Sequence, residues 1–241
     1  MSGEWYRSID HIPGHLRLRN KTCVMFGAGT DVAATTARVF AAEGCKILAV
    51  DENEQAIREL VALIEEDGGF AVSCRASTYA AANLVHSLST RDFQHLDILI
   101  DNGSGPDRDS FCLTSAWKMA EEFAFCPNSF RLLVARFPKP ASSGPPRQGL
   151  PPNDSSLLAL LSRIRESAPD PVRVNAVCFN RQITLQPSEQ FTRDGASLVV
   201  GSLPNEDQAT LGLQIAYAAL FLASDEAQFV HGVSIPIGDM V

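Results

Sequence analysis

Residues 24–44 read VMFGAGTDVAATTARVFAAEG. An apolar run enters Gly27 and Gly29, and Ala33–Ala42 then takes up helical spacing. A strand, a glycine turn and a helix start in succession present bare backbone N–H groups at the positive end of a helix, an arrangement suited to phosphate. Asp31 stands in the first turn of that helix, where a pyrophosphate would lie. At ~4 Å, with an effective dielectric near 20, the two charges repel by about 4 kcal/mol. That is roughly a thousandfold in affinity. The same carboxylate is favourable when it is itself the anion at the helix end. The stretch therefore predicts a nucleotide-binding architecture whose turn is occupied by its own acid.

Outward from this stretch, strands and helices alternate. Lys46–Val50 is a strand ending on Asp51, and Glu54–Glu66 an amphipathic helix with Ile57, Leu60, Val61 and Ile64 on one face. Ala71–Cys74 is a short strand, Ala80–Leu88 a helix, and Asp97–Ile100 a strand stopped by DNGSG. Trp117–Phe125 is a short helix and Arg131–Phe137 a strand, followed by the loop PKPASSGPPRQGLPPN. Leu157, Leu158, Leu160, Leu161 and Ile164 form one helical stripe. Arg173–Cys178 is a strand, Asp207–Ala223 a helix and Gly232–Ile237 a last strand. Such alternation predicts βαβ units and a parallel sheet covered on both faces. The fold class is α/β, a Rossmann-type doubly wound parallel sheet. It forms a single domain over residues 16–241 after an N-terminal arm, residues 1–15.

The chain of 241 residues is long enough for a sizeable core. Its net charge of −8 argues against nucleic acid and anionic membranes as partners. No apolar run approaches the roughly 20 residues that span a bilayer, and the first residues have no secretory h-region. Cys23, Cys45, Cys74, Cys112, Cys126 and Cys178 are scattered without a CxxC pair, as expected of buried, reduced thiols in a cytoplasmic protein. No His-x-x-x-His or Cys/His cluster suggests a metal, and no G-x-S-x-G suggests acyl transfer. The histidines, His231 among them, read as structural or solvated.

Five pieces in order carry a family resemblance: LRLRNKTCVMFGAG (16–29), ARVFAAEGCKILAVDEN (37–53), LDILIDNGSG (96–105), VRVNAV (172–177) and ALFLASDEAQFVHGVSIPIG (219–238). Together they resemble the short-chain dehydrogenase/reductase family over nearly the whole chain. The resemblance implies a bound nicotinamide cofactor, dimers or tetramers, and an Asn-Ser-Tyr-Lys catalytic set.

The departures fall on the chemistry. Phe26-Gly27 replaces the family's Thr-Gly, Asp31 its second glycine and Ala33 its third; in the general G-x-G-x-x-G pattern Val32 takes the last glycine position. Asp51 matches the acid that holds a ribose diol in NAD-preferring members, and is also readable as a helix cap. Ser77 stands where an acid near the adenine is common. Four residues before Lys21, Lys46, Lys118 and Lys139 stand Arg17, Ala42, Thr114 and Ala135, so no Tyr-x-x-x-Lys exists. Without that pair, no lysine lowers a tyrosine's pKa on one helical turn. Alignment puts Gly149 at the tyrosine position and Asn153 at the lysine position, with Pro151 and Pro152 between them. The serine corresponds to Arg136 or Phe137, the asparagine to Ala124, and the Pro-Gly of the nicotinamide pocket to Phe179-Asn180.

These positions lead to the expectation of a chain without catalytic residues, with Ala124, Arg136, Gly149 and Asn153 as degenerate positions. Gly27, Gly29, Asp31 and Asp51 are vestiges of a cofactor site. The chain is expected to bind no cofactor and no metal, NAD residing in a catalytic partner. The partner implied is an intact short-chain dehydrogenase homologue in a hetero-oligomer, such as a heterotetramer. Two alternatives stay open: a regulator that senses dinucleotide without turnover, supported by Asp51, and an oxidoreductase with an unorthodox active site.

Overall fold

Thr22–Phe26 forms β1, and every one of its side chains is buried. A strand buried on both sides belongs in the middle of a parallel sheet, and β1 lies there. In a computed structural model of the chain, residues 15–76, 93, 96–102, 131–136, 173–179 and 205–237 are described. They contain β2 (Lys46–Asp51), β3 (Phe70–Arg75), β4 (Ile98–Asp101), β5 (Arg131–Arg136), β6 (Arg173–Phe179) and β7 (Ser234–Ile237). The seven strands form one sheet in the order β3-β2-β1-β4-β5-β6-β7. Every pair is parallel. The order reverses between β1 and β4, the place where α/β sheets open a crevice beyond their strand ends.

Three α-helices are described: α1 (Asp31–Ala42), α2 (Glu54–Glu66) and α3 (Asn205–Ala223). Alternate strand residues Cys23, Met25, Ile47, Ala49, Ile98 and Ile100 share one core with Ala33, Ala34 and Ala37 of α1, Ile57 and Leu60 of α2, and Ile215 and Ala219 of α3. The small residues let α1 pack closely, with α2 and α3 both in contact with it. The intervening strand residues Val24, Phe26, Leu48, Val50 and Leu99 are buried as well, so the opposite face is also covered. Burying each large aliphatic chain contributes about 1.5–3 kcal/mol.

The first helix ends in a left-handed glycine, Gly44, with φ +83°. Its N–H reaches Ala41 O at 2.9 Å and that of Cys45 reaches Phe40 O at 3.0 Å, which satisfies the terminal carbonyls. Glu43, 1% exposed, then takes the N–H groups of His15 (3.0 Å) and Arg17 (2.8 Å), tying the incoming chain to the end of α1. The Arg17 side chain continues to Glu226, Nε to Oε1 at 2.7 Å. At the same edge of the sheet, the buried Arg173 donates to the carbonyls of Leu222 (2.8 Å) and Ser224 (3.2 Å). It thereby places a cation at the C-terminal end of α3, which has no basic residue in its own last turn.

Boundaries differ from the sequence reading for identifiable reasons. Asp97 precedes β4 because its carboxylate takes the N–H of Thr22 at 2.8 Å. The last strand starts at Ser234, since Gly232 turns with φ +72°. Asp51 does not cap α2; Asn53 does, its side chain accepting from the N–H of Ala56 at 3.2 Å.

Candidate functional site

Three acids mark the crevice at the switch point: Asp31 after β1, Asp51 ending β2 and Asp101 ending β4. Gly27 turns the chain out of β1 with φ +69°, a conformation that favours glycine. The N–H of Ala28 crosses to Val50 O on β2 at 3.2 Å. That of Gly29 reaches Asp51 Oδ2 at 2.9 Å. Asp51 Oδ1 accepts the N–H of Asn53, also at 2.9 Å. Each carboxylate oxygen is thus fixed by one main-chain donor and keeps further acceptor capacity. Asp51 is half-buried.

Gly29 is closely fitted against Asp51. A Cβ at residue 29 would stand 3.0 Å from Asp51 Cγ and Oδ2 and 3.2 Å from Oδ1. Thr30 is the N-cap of α1, but its hydroxyl does not bond a helix N–H. It donates instead to Gly27 O at 3.2 Å. Asn102 closes the turn from β4: its N–H donates to Phe26 O at 3.2 Å, and Nδ2 lies 3.2 Å from Gly27 O and 2.6 Å from Thr30 Oγ1. Asn102 Oδ1 is buried without a partner. Asn102 lies in the LDILIDNGSG piece that carries the family resemblance, but neither it nor Thr30 was given a role from the sequence.

Asp31 opens α1 half-buried, in its first turn, as the sequence reading placed it. Ala33 is 3% exposed and packs in the core, so its methyl group fills space between α1 and the sheet. Arg136 ends β5 opposite Cys178 of β6, at the same edge of the sheet as Asp101. Ala124, Phe137, Gly149, Asn153, Ser77 and Asn180 lie outside the described residues. Among those described, no group of three or more His, Cys, Asp or Glu side chains could hold a metal ion, and no helix is long and apolar enough to cross a membrane.

The thiols near this core are not poised to react. Burial, with the nearby Asp97 charge second, pushes the Cys23 thiol far up; burial also holds Cys45 well above its usual value and raises Cys74.

For a nicotinamide dinucleotide the two sides of this turn differ. Asp51 keeps acceptor capacity, as binding a ribose diol would require. At the phosphate end the Asp31 carboxylate occupies the first turn of α1, and the Gly29 N–H is already bonded to Asp51. The residues at this end do not fit a pyrophosphate.

A seven-stranded parallel sheet with a glycine turn and an acid at its switch point defines a Rossmann-type protein. Within that class, the chain is similar to short-chain dehydrogenases and reductases. Residues 21–125 match the family described as short chain dehydrogenase. The chain is 33% identical to the short-chain reductase protein NovJ of Streptomyces niveus over 98 residues, 40% of this chain and 37% of NovJ. It is 27% identical to the 2,5-dichloro-2,5-cyclohexadiene-1,4-diol dehydrogenase LinX of Sphingobium indicum, over 92% of this chain and 96% of LinX. A 7α-hydroxysteroid dehydrogenase solved with NADH and 7-oxo glycochenodeoxycholic acid shares the fold, with a TM-score of 0.68 and 22% identity over 92% of this chain and 94% of that one.

Proposed function

We propose that this chain is a non-catalytic subunit of a hetero-oligomeric, NAD-dependent short-chain alcohol or hydroxyacyl-CoA dehydrogenase. It stabilises or completes an intact homologue that carries the cofactor and the chemistry. The observation that carries the reading is Asp31 in the first turn of α1, a fixed negative charge where a pyrophosphate would need N–H donors. The absence of any Tyr-x-x-x-Lys supports it independently. So does the outer face of α3, which exposes Tyr217 and Phe221. In size and in its loss of both sites, the chain resembles the inactive subunit of the NAD-dependent 2-[hydroxy(phenyl)methyl]succinyl-CoA dehydrogenase. The reading places it in a reducing cytoplasm, in keeping with the free, buried Cys23, Cys45 and Cys74.

The test is co-expression with an intact short-chain dehydrogenase from the same source, followed by affinity purification through this chain. A stoichiometric complex, with turnover abolished by removing the partner's tyrosine alone, is the expected result. A stable monomer or homo-oligomer that never takes up a catalytic homologue overturns it.

A second reading is favoured by Asp51, whose two oxygens are each oriented by a main-chain N–H. It is a regulator that binds dinucleotide without turning it over. Micromolar binding of NAD to the isolated chain, without alcohol oxidation, selects this reading over the first.

A further inference from the structure

We propose that His231 is a proton-operated latch on the C-terminal strand. The segment that leads into β7 is held by β6. Val230 O accepts from Arg173 (3.2 Å) and from Asn175 Nδ2 (3.0 Å). Gly232 N–H reaches Val174 O at 2.7 Å, and Val233 N–H reaches Asn175 Oδ1 at 3.2 Å. Between these bonds, the N–H of Val174 donates to His231 Nδ1 at 3.2 Å. His231 is the only titratable acceptor in this set.

A backbone N–H only donates, so Nδ1 must offer its lone pair, and the neutral ring carries its proton on Nε2. A second proton turns Nδ1 into a donor facing another donor. The Val174 N–H, in a residue that is 0% exposed, then has no acceptor, and water is not at hand to replace it. His231 itself is half-buried, which leaves the proton a way in. The charged residues on the surrounding elements are Arg173 on β6, Arg131 opposite it on β5, and Asp225 and Glu226 on the turn after α3, with Glu226 bonded to Arg17. Whatever their influence on the ring, a second proton removes the acceptor. Histidine is the side chain whose charge changes between about pH 5 and pH 8, so mild acidification loosens β7 before it unfolds the sheet.

The experiment is amide hydrogen exchange on the full chain at about pH 7.5 and about pH 5, corrected for intrinsic rates. In the wild type, peptides covering 173–179 and 230–237 are expected to lose roughly tenfold or more protection, while one covering 22–26 keeps its own. His231→Asn leaves an acceptor near the Nδ1 position without a titrating ring, and should hold protection within about twofold. Unchanged protection in the wild type overturns the latch, as does an equal loss in the variant. Should His231→Asn not fold, nitrogen NMR of the wild-type imidazole decides. An unprotonated Nδ1 at neutral pH, with the Val174 amide shifting as the ring titrates, supports the latch. A protonated Nδ1 there, or an indifferent Val174 amide, overturns it.

Discussion

Gly29 and Asp51 are matched to each other: the glycine N–H lies 2.9 Å from Asp51 Oδ2, and a side chain on residue 29 would meet that carboxylate at 3.0 Å. Because Asp51 is also held by Asn53, its carboxylate cannot swing aside without losing a bond. Gly29→Ala should therefore destabilise the fold by about 1–3 kcal/mol in denaturant unfolding. The cost should shrink in an Asp51→Ala background, where the obstacle is gone. Equal costs in both backgrounds would show that the glycine answers to something other than Asp51.

The dinucleotide prediction rests on Asp31. Calorimetric titration of the wild type with NAD or NADP should give no saturable heat at up to about millimolar cofactor. Asp31→Gly removes a repulsion of about 4 kcal/mol and should bring NAD binding within reach. It should not bring alcohol oxidation, because the chain has no tyrosine with a lysine four residues on. Turnover by the purified variant without a partner would mean that a different proton donor serves the crevice.

The fold was legible because it rests on periodic burial. Glu54–Glu66 has the same ends in sequence and structure, and the strands from Lys46 onward differ by a residue or two. Asp31 and Asp51 were legible because a glycine turn and a strand end fix their places. Glu43, Asn102 and Arg173 were not. Each is a buried polar side chain whose partners are main-chain groups distant in sequence, such as His15 and Arg17 for Glu43. Backbone groups have no sequence signature, so only three-dimensional proximity reveals such clamps. The cap reading of Asp51, one of the two left open, fails for a related reason: Asp51 bonds the N–H of Asn53, and Asn53 does the capping.

Thiol chemistry should follow burial. Cys23, Cys45 and Cys74 are buried, and burial holds each in its protonated, unreactive form. Brief alkylation of the native chain near pH 8, read peptide by peptide in a mass spectrometer, should leave these three unmodified, whereas denaturant should expose them all. Rapid native labelling of Cys23 would contradict its place inside the sheet.

Acid should weaken one tie between the two ends of the chain. The Arg17 side chain, hydrogen-bonded to Glu226, holds that carboxyl below the usual glutamate range. A group with a lowered folded pKa contributes stability above its unfolded value, and that contribution is lost as the pH falls through the folded one. Glu226→Gln should therefore lower the thermal midpoint slightly at neutral pH, and the difference from the wild type should vanish as the pH falls through the lowered folded value. The pair is exposed, so the neutral-pH gap should also narrow in molar salt. A gap that persists in acid would show that packing, rather than charge, joins these residues.

The assembly prediction concerns α3. Residues 208–224 contain no charged side chain, although one side of the helix faces outward. Its inner side, with Leu211, Ile215, Ala219 and Leu220, is buried in the core it shares with α1. Tyr217 and Phe221, one helical turn apart, are 39% and 37% exposed, and Phe229 beyond the helix is 91% exposed. Aromatic side chains presented in this way are common anchors of protein interfaces, worth about 2 kcal/mol or more when truncated. Tyr217→Glu and Phe221→Lys should each weaken capture of a catalytic homologue by about tenfold or more. Circular dichroism and the thermal midpoint should stay near those of the wild type, since neither side chain fills the core. Leu220→Lys is the contrasting control: it puts an unpaired charge into a 0% exposed position and should unfold the monomer. The helical stripe Leu157–Ile164 lies outside the described residues, so α3 provides the cleaner test. Loss of binding with retained fold at Tyr217 and Phe221 supports a partner-facing helix. If both variants still capture the homologue at wild-type strength, the partner must engage another surface, and the case for α3 is lost.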